Sequence, residues 1–165
     1  MRLEPLYRAR FSTPERWTVE LAGAHGTEAH SLLFAEGRCE GRVSAAFRAA
    51  NFPRRRADDT LTPDFRGVLE TDDGATILFT WHGYAHTTSD GVRQLVGAMT
   101  HITDHERYRW LNDVICAVAG VIEPRPDSCT SRKAARLRQP TACTDRRARR
   151  GGLRRGGDSG PGGGV

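Results

Sequence analysis

The chain has 165 residues, of which 38% are hydrophobic and 7% aromatic, with a formal net charge of +5. A chain of this size buries roughly two thirds of its unfolded surface, enough for one core that needs no metal or disulfide. No run of about 18 apolar residues and no N-terminal apolar h-region is present, so membrane spanning and secretion are not expected and a cytoplasmic protein is.

The charge is unevenly divided. Up to Pro124 there are 14 Arg and Lys against 17 Asp and Glu, and beyond it 11 against 3, so the positive excess belongs to the C-terminal segment. Every Phe, Trp, Tyr and His precedes Pro124. A segment without aromatics cannot bury enough apolar surface to offset its ordering entropy. The expected organisation is therefore a β-barrel domain over 1–124 and a disordered Arg/Gly-rich tail over 125–165. A basic isoelectric point points to nucleic acid only where the charge sits on a folded surface.

Taken in chain order, Tyr7, Ala9 and Phe11 alternate with Arg8 and Arg10, and Trp17, Val19 and Leu21 with Thr18 and Glu20. Period two predicts two half-buried strands. After a Gly/His-rich connection (23–30), Cys39, Gly41, Val43, Ala45, Phe47 and Ala49 share one face of what reads as a single long strand. Small residues on its inner face suit a curved sheet. Asn51 to Pro63 carries two prolines, Arg54, Arg55, Arg56 and the pair Asp58, Asp59, and predicts a polar loop.

Phe65 to Thr71, a turn at Asp72, Asp73, Gly74, and the alternation Ile77, Phe79, Trp81 predict a hairpin, because Asp-Gly supplies the positive φ that tight turns demand. Asp90, Gly91 predicts a second turn into Val92 to Thr103. Thr103 and Glu106 have capping-box spacing, which predicts a short helix over 104–112 covering one end of the sheet. Val114 to Ile122 is apolar on both faces, as a central strand is. The fold class is all-β: a small antiparallel barrel of seven or eight strands with one short helix.

Several of these residues fall in an order shared with a known family. Glu4-Pro5-Leu6, Gly37 and Gly41, Asp64-x-Arg66, Thr71-Asp72-Asp73-Gly74-Ala75-x-Ile77, Gly83, and Tyr108-x-Trp110-Leu111-Asn112 span about residues 3–123. The pattern resembles domain-of-unknown-function family 3237, short bacterial and fungal β-barrel proteins of uncharacterised activity. The resemblance implies a closed or nearly closed antiparallel barrel of a kind that holds small molecules at its mouth, and it implies no reaction. Two departures stand out. A Gly-Asp-Trp-like element of the family is replaced by Asn51-Phe52-Pro53-Arg54-Arg55-Arg56. After Gly120 the family continues to a strand that closes the barrel, whereas this chain enters its tail, so an open seam is expected.

The candidate ligand-binding residues are Arg66, Trp81, His101, Tyr108, Trp110 and Asn112, with His101 the one candidate base. Arg66 is singled out because an arginine in an apolar strand pair must either reach solvent or meet an anion. Among the six histidines, His82-x3-His86 and His101-x3-His105 most invite a metal reading. Four residues along a strand separate side chains by about 13 Å, too far to share an ion, and no metal or cofactor is expected. The four cysteines, Cys39, Cys116, Cys129 and Cys143, lack short paired spacings and are expected to be reduced thiols.

No phosphate loop, nucleophile elbow or metalloprotease pattern is present. Three readings follow: a barrel binding a small organic molecule at its mouth, a non-catalytic module pairing through an open sheet edge as a homo-oligomer, or RNA binding through Arg150-Gly151-Gly152 and Arg155-Gly156-Gly157 of the tail. Nucleic acid is not expected to bind elsewhere, and no membrane partner is expected.

Overall fold

A computed structural model describes residues 3–123 together with the backbone of 136–143. Ten strands occur in chain order: β1 (Glu4–Gly23), β2 (Gly26–Gly41), β3 (Ala45–Asn51), β4 (Arg54–Arg55), β5 (Leu61–Thr62), β6 (Asp64–Thr71), β7 (Thr76–Thr87), β8 (Arg93–Ile102), β9 (Ile115–Glu123) and β10 (Arg136–Cys143). A 3₁₀-helix, Glu106–Asp113, separates β8 from β9. Every pairing is antiparallel. The ladders β1–β2, β2–β3, β3–β6, β6–β7, β7–β8, β8–β9, β9–β10 and β10–β1 return to their start and make an eight-stranded, β-barrel-like ring.

Period-two burial fills the ring. Phe11 stacks on Phe47 at 4.8 Å, Phe47 lies 5.1 Å from Phe79, and Phe65 lies 4.6 Å from Trp81. Alanines 9, 35, 45, 49 and 85 belong to the same buried cluster, with Leu69, Ile77, Leu95 and Val118 among its aliphatic members. The short strands β4 and β5 cross the end of the ring from β2 to β7.

Four expectations are revised. The seam is not open: Arg136–Cys143, assigned from sequence to the tail, lies between β1 and β9. Strand pairing uses backbone groups, so an Arg-rich segment without aromatics still closes a sheet whose neighbours supply the core. The remaining tail residues, the arginine-glycine motifs included, lie outside the described residues. The run from Cys39 to Ala49 is two strands rather than one, since Gly41 adopts φ 150° and the chain turns before β3, while the alternation of burial continues across the break. Tyr7 and Trp17 share one strand, and the half of it holding Trp17, Val19 and Leu21 is exposed, not half-buried. Finally, the helix begins at Glu106 with no side-chain cap at His105. Thr103 instead accepts the His105 N–H at 3.2 Å and donates to the Thr76 carbonyl at 2.7 Å, so the capping box does not form.

Candidate functional site

Among the described residues a buried polar pair lies within the ring. Tyr7 from β1 and His101 from β8 point inward from strands that are not neighbours, and Tyr7 Oη lies 2.9 Å from His101 Nε2. The Tyr7 hydroxyl donates to Met99 Sδ at 2.8 Å, and His101 Nδ1 faces Cys116 Sγ at 3.8 Å. With the hydroxyl proton on sulfur, the consistent arrangement has Nε2–H donating to Tyr7 Oη. His101 is 4% exposed, and burial, which penalises the charged imidazolium, brings its pKa down to about 4. Burial likewise raises the Tyr7 hydroxyl well above its ordinary value. The pair is therefore neutral across the physiological range: a weak base beside a hydroxyl that holds its proton.

Trp81 borders this centre. It stands directly across the β7–β8 ladder from Met99, is 1% exposed, and its Nε1 has no hydrogen-bond partner. Its indole lies over Gly97, where a Cβ would stand 2.5 Å from Nε1 and 2.3 Å from the His82 carbonyl oxygen. Only glycine permits that close approach. A buried donor left without an acceptor costs about 1–3 kcal/mol, so the site contains an unmet demand for one.

The other candidate residues are placed as follows. Tyr108, Trp110 and Asn112 lie on the 3₁₀-helix, which is bolted over one end of the ring. Tyr108 Oη donates to the Asp73 carboxylate at 3.0 and 3.1 Å, and Arg107 reaches the same carboxylate at 2.7 Å. The Thr71 hydroxyl, donating to Asp73, is the main reason that carboxylate's pKa lies below its ordinary value, with Tyr108 adding to it. Asn112 accepts the Thr103 N–H and donates to the Thr103 carbonyl, both at 2.9 Å. Arg42 packs its guanidinium 4.7 Å over the Trp110 ring.

Beneath the helix, Leu6, Val43, Ala75 and Leu111 are sealed from solvent. Tyr108, Arg107 and Asn112 hold the lid down, while the buried Nδ1 of His105 at its start has no hydrogen-bond partner. Arg66 is not brought to the others. Its side chain is 71% exposed on the outer wall, 3.9 Å from Asp64, beside a shallow groove of about 380 Å³ that Phe34, Arg48 and Val68 also line.

The sequence reading passed over two residues. Tyr7 sits in an ordinary alternation, and nothing local reveals a partner 94 positions away. Arg93, at the far end of β8, follows the inward register of Leu95, Met99 and His101; it is half-buried and donates to Thr87 Oγ1 at 3.3 Å. No carboxylate among the described residues lies within ion-pair distance of it. Burial, then the nearby Arg16 guanidinium, lowers its pKa. One cysteine differs from expectation: Cys39 is a free, buried thiol as expected, pushed up to about 11 by burial, whereas Cys116 is disulfide-bonded. Among the described residues no three His, Cys, Asp or Glu side chains gather to hold a metal, and no helix is long and apolar enough to cross a membrane.

Comparison with solved structures gives the same architecture. A β-barrel-like protein from Acinetobacter baumannii is 21% identical with a TM-score of 0.65, covering 86% of this chain and 95% of its own. A protein of unknown function from Clostridium acetobutylicum is 12% identical with a TM-score of 0.66, covering 88% and 100%. An enzyme from Penicillium herquei is 20% identical with a TM-score of 0.51, covering 84% and 93%. No curated protein matches the sequence. Over residues 1–130 the chain matches the family described as proteins of unknown function, DUF3237, and it belongs to that family.

Proposed function

We propose that this protein binds a small organic molecule inside the ring, against Trp81, Met99, Tyr7 and His101. The observation that carries the reading is the unpartnered Trp81 Nε1–H beside a buried, uncharged Tyr7–His101 pair. Polar groups placed in an apolar interior cost stability unless something uses them. A ligand carbonyl or ether oxygen accepting from Trp81, with its apolar body among Phe65, Phe79 and Met99, answers that demand. The lid end is bonded down and β4 and β5 cross the opposite end, where Arg93 lies, so entry past Arg93 requires the β4–β5 crossing to move aside. That residue lies roughly 20 Å along the strand from Met99, by the usual rise per residue, and therefore meets a ligand on entry rather than at the centre. A half-buried guanidinium there, bonded to Thr87 and only partly balanced by Asp59 against the nearby Arg16 and Arg55, favours molecules carrying an anionic group.

The same centre suits proton transfer without a cofactor. With Nε2–H directed at Tyr7 Oη and the Tyr7 proton on Met99 Sδ, an isomerisation, cyclisation or elimination next to a carbonyl would use His101 Nδ1 as acceptor and Tyr7 as donor, each exchanging its present contact with Cys116 or Met99 for the substrate. That the Penicillium herquei protein of this fold is an enzyme supports extending the reading from binding to catalysis. A cytoplasmic location is part of the proposal, and cell fractionation checks it.

The test is a thermal-shift screen of organic acids, ketones and phenols on the full chain, followed by variants of the best hit. Tyr7→Phe and His101→Gln are expected to reduce the ligand-induced shift, Arg93→Gln to reduce it for anionic ligands alone, and Arg66→Ala to leave it unchanged. A hit that depends on Arg66 and ignores Tyr7 and His101 moves the site to the outer wall and refutes the proposal.

A further inference from the structure

The last nine residues of β1, Glu15–Gly23, run beyond the ring and pair with β2 on one side alone, because the ladder to β10 ends at Phe11. Among the described residues nothing bonds to the other edge. Trp17, Val19 and Leu21 project from one face of this overhang at 52%, 62% and 56% exposure, and Trp17 meets Phe34 edge-on at 6.0 Å. A flat edge strand with a continuous apolar face is a template for another strand, and natural proteins ordinarily blunt such edges with charge or proline. Here Pro14 stands only at the start of the run, where the pairing shifts between Ser12 and Glu15.

We infer that this edge pairs antiparallel with the same edge of a second copy of the chain, about a two-fold axis at Thr18. The sequence is complementary to itself in that register. Trp17 then faces Val19 of the second copy on the apolar side, and Arg16 faces its Glu20 on the polar side, each contact occurring twice by symmetry and adding to the bonds that Arg16 makes to Thr18 at 3.1 Å and Glu20 to Arg55 at 3.3 Å within one copy. Centring the pair one step either way, on Trp17 or on Val19, places Arg16 opposite Thr18 or Ala22 and loses both ion pairs. Exposed ion pairs contribute little affinity but discriminate between registers; the apolar face and the new backbone hydrogen bonds supply the association. The geometry holds whether or not the interior binds a ligand.

Sedimentation equilibrium of the full chain is expected to show a dimer. Val19→Lys and Arg16→Glu should each weaken self-association by about tenfold or more. The double reversal Arg16→Glu with Glu20→Arg should restore much of what Arg16→Glu loses, which a merely structural role for Arg16 would not produce. Circular dichroism and melting temperature establish that each variant is folded. A wild-type monomer at the highest soluble concentration overturns the inference, and so does a dimer indifferent to all three changes. A monomer whose β1 edge amides resist hydrogen exchange does the same, by showing that another segment of the same chain occupies the edge.

Discussion

The two ends of the ring are built on opposite principles. At the lid end, Tyr108, Arg107, Asn112 and Thr103 spend their polar groups on one another and on Asp73, and the apolar residues below are sealed. At the overhang end, Arg93 has no carboxylate partner and the β1 edge has no strand beside it among the described residues. The contrast teaches where function should be sought. Satisfied groups hold a fold together, whereas unmet donors, cations and edges are the places that gain from a partner. Aromatic and amide side chains on the lid resemble a binding mouth in sequence, and in the fold Tyr108 and Asn112 also bond the lid to the ring.

The largest effect that sharpens this comparison comes from the interior between the ends. Trp81→Ala removes a fully buried indole from its packing on Phe65 and Gly97, and is expected to cost about 3–5 kcal/mol in urea unfolding. An acid titration should come next. In the unfolded chain His101 titrates near its ordinary 6.5, but in the folded protein near 4, so between those values the unfolded state binds more protons. Stability is then complete above about pH 6.5 and falls as pH drops toward 4, by on the order of 3 kcal/mol. His101→Gln should flatten that part of the profile, and an unchanged slope would show the buried imidazole is not its source.

Smaller changes separate the two ends. Asn112→Ala deletes both bonds to Thr103 and should cost about 1–3 kcal/mol while leaving ligand response intact, as expected of a fastener. Arg93→Gln should do the reverse, altering anionic-ligand response with little change in unfolding. Arg66→Ala, on the exposed outer wall, should shift stability by less than about 0.5 kcal/mol.

Much of the ring was legible in the sequence because period-two alternation reports burial directly. Ile77, Phe79 and Trp81 point inward as their spacing predicts, and Asp72-Asp73-Gly74 turns with Gly74 at φ 86°. Alternation is blind to what covers a face, however. Trp17, Val19 and Leu21 repeat as faithfully as Tyr7, Ala9 and Phe11, yet the first set lies beyond the ring and stays exposed. It is equally blind to turns that keep its phase, which is why β2 and β3 read as one strand. The closing strand was hidden because its pairing rests on backbone groups, which carry no compositional signal. His101 and Trp81 were named as candidates at the mouth and lie buried in the interior instead, and Tyr7, the partner that makes His101 a site, is set by which strands the ring brings face to face across its interior.

The central claim is that the interior centre, and neither the lid nor the outer wall, receives the ligand. The chain has three tryptophans, and the fold distributes them as Trp17 on the overhang, Trp81 at the centre and Trp110 on the lid. Their indole N–H resonances in a ¹⁵N-correlated NMR spectrum, assigned by single Trp→Phe substitutions, therefore report on three regions at once during titration with the best ligand from the screen. The account predicts that the Trp81 signal moves most, as its unpartnered Nε1–H gains an acceptor, with Trp110 nearly still. Saturable binding that shifts Trp110 or Trp17 and leaves Trp81 in place would contradict it.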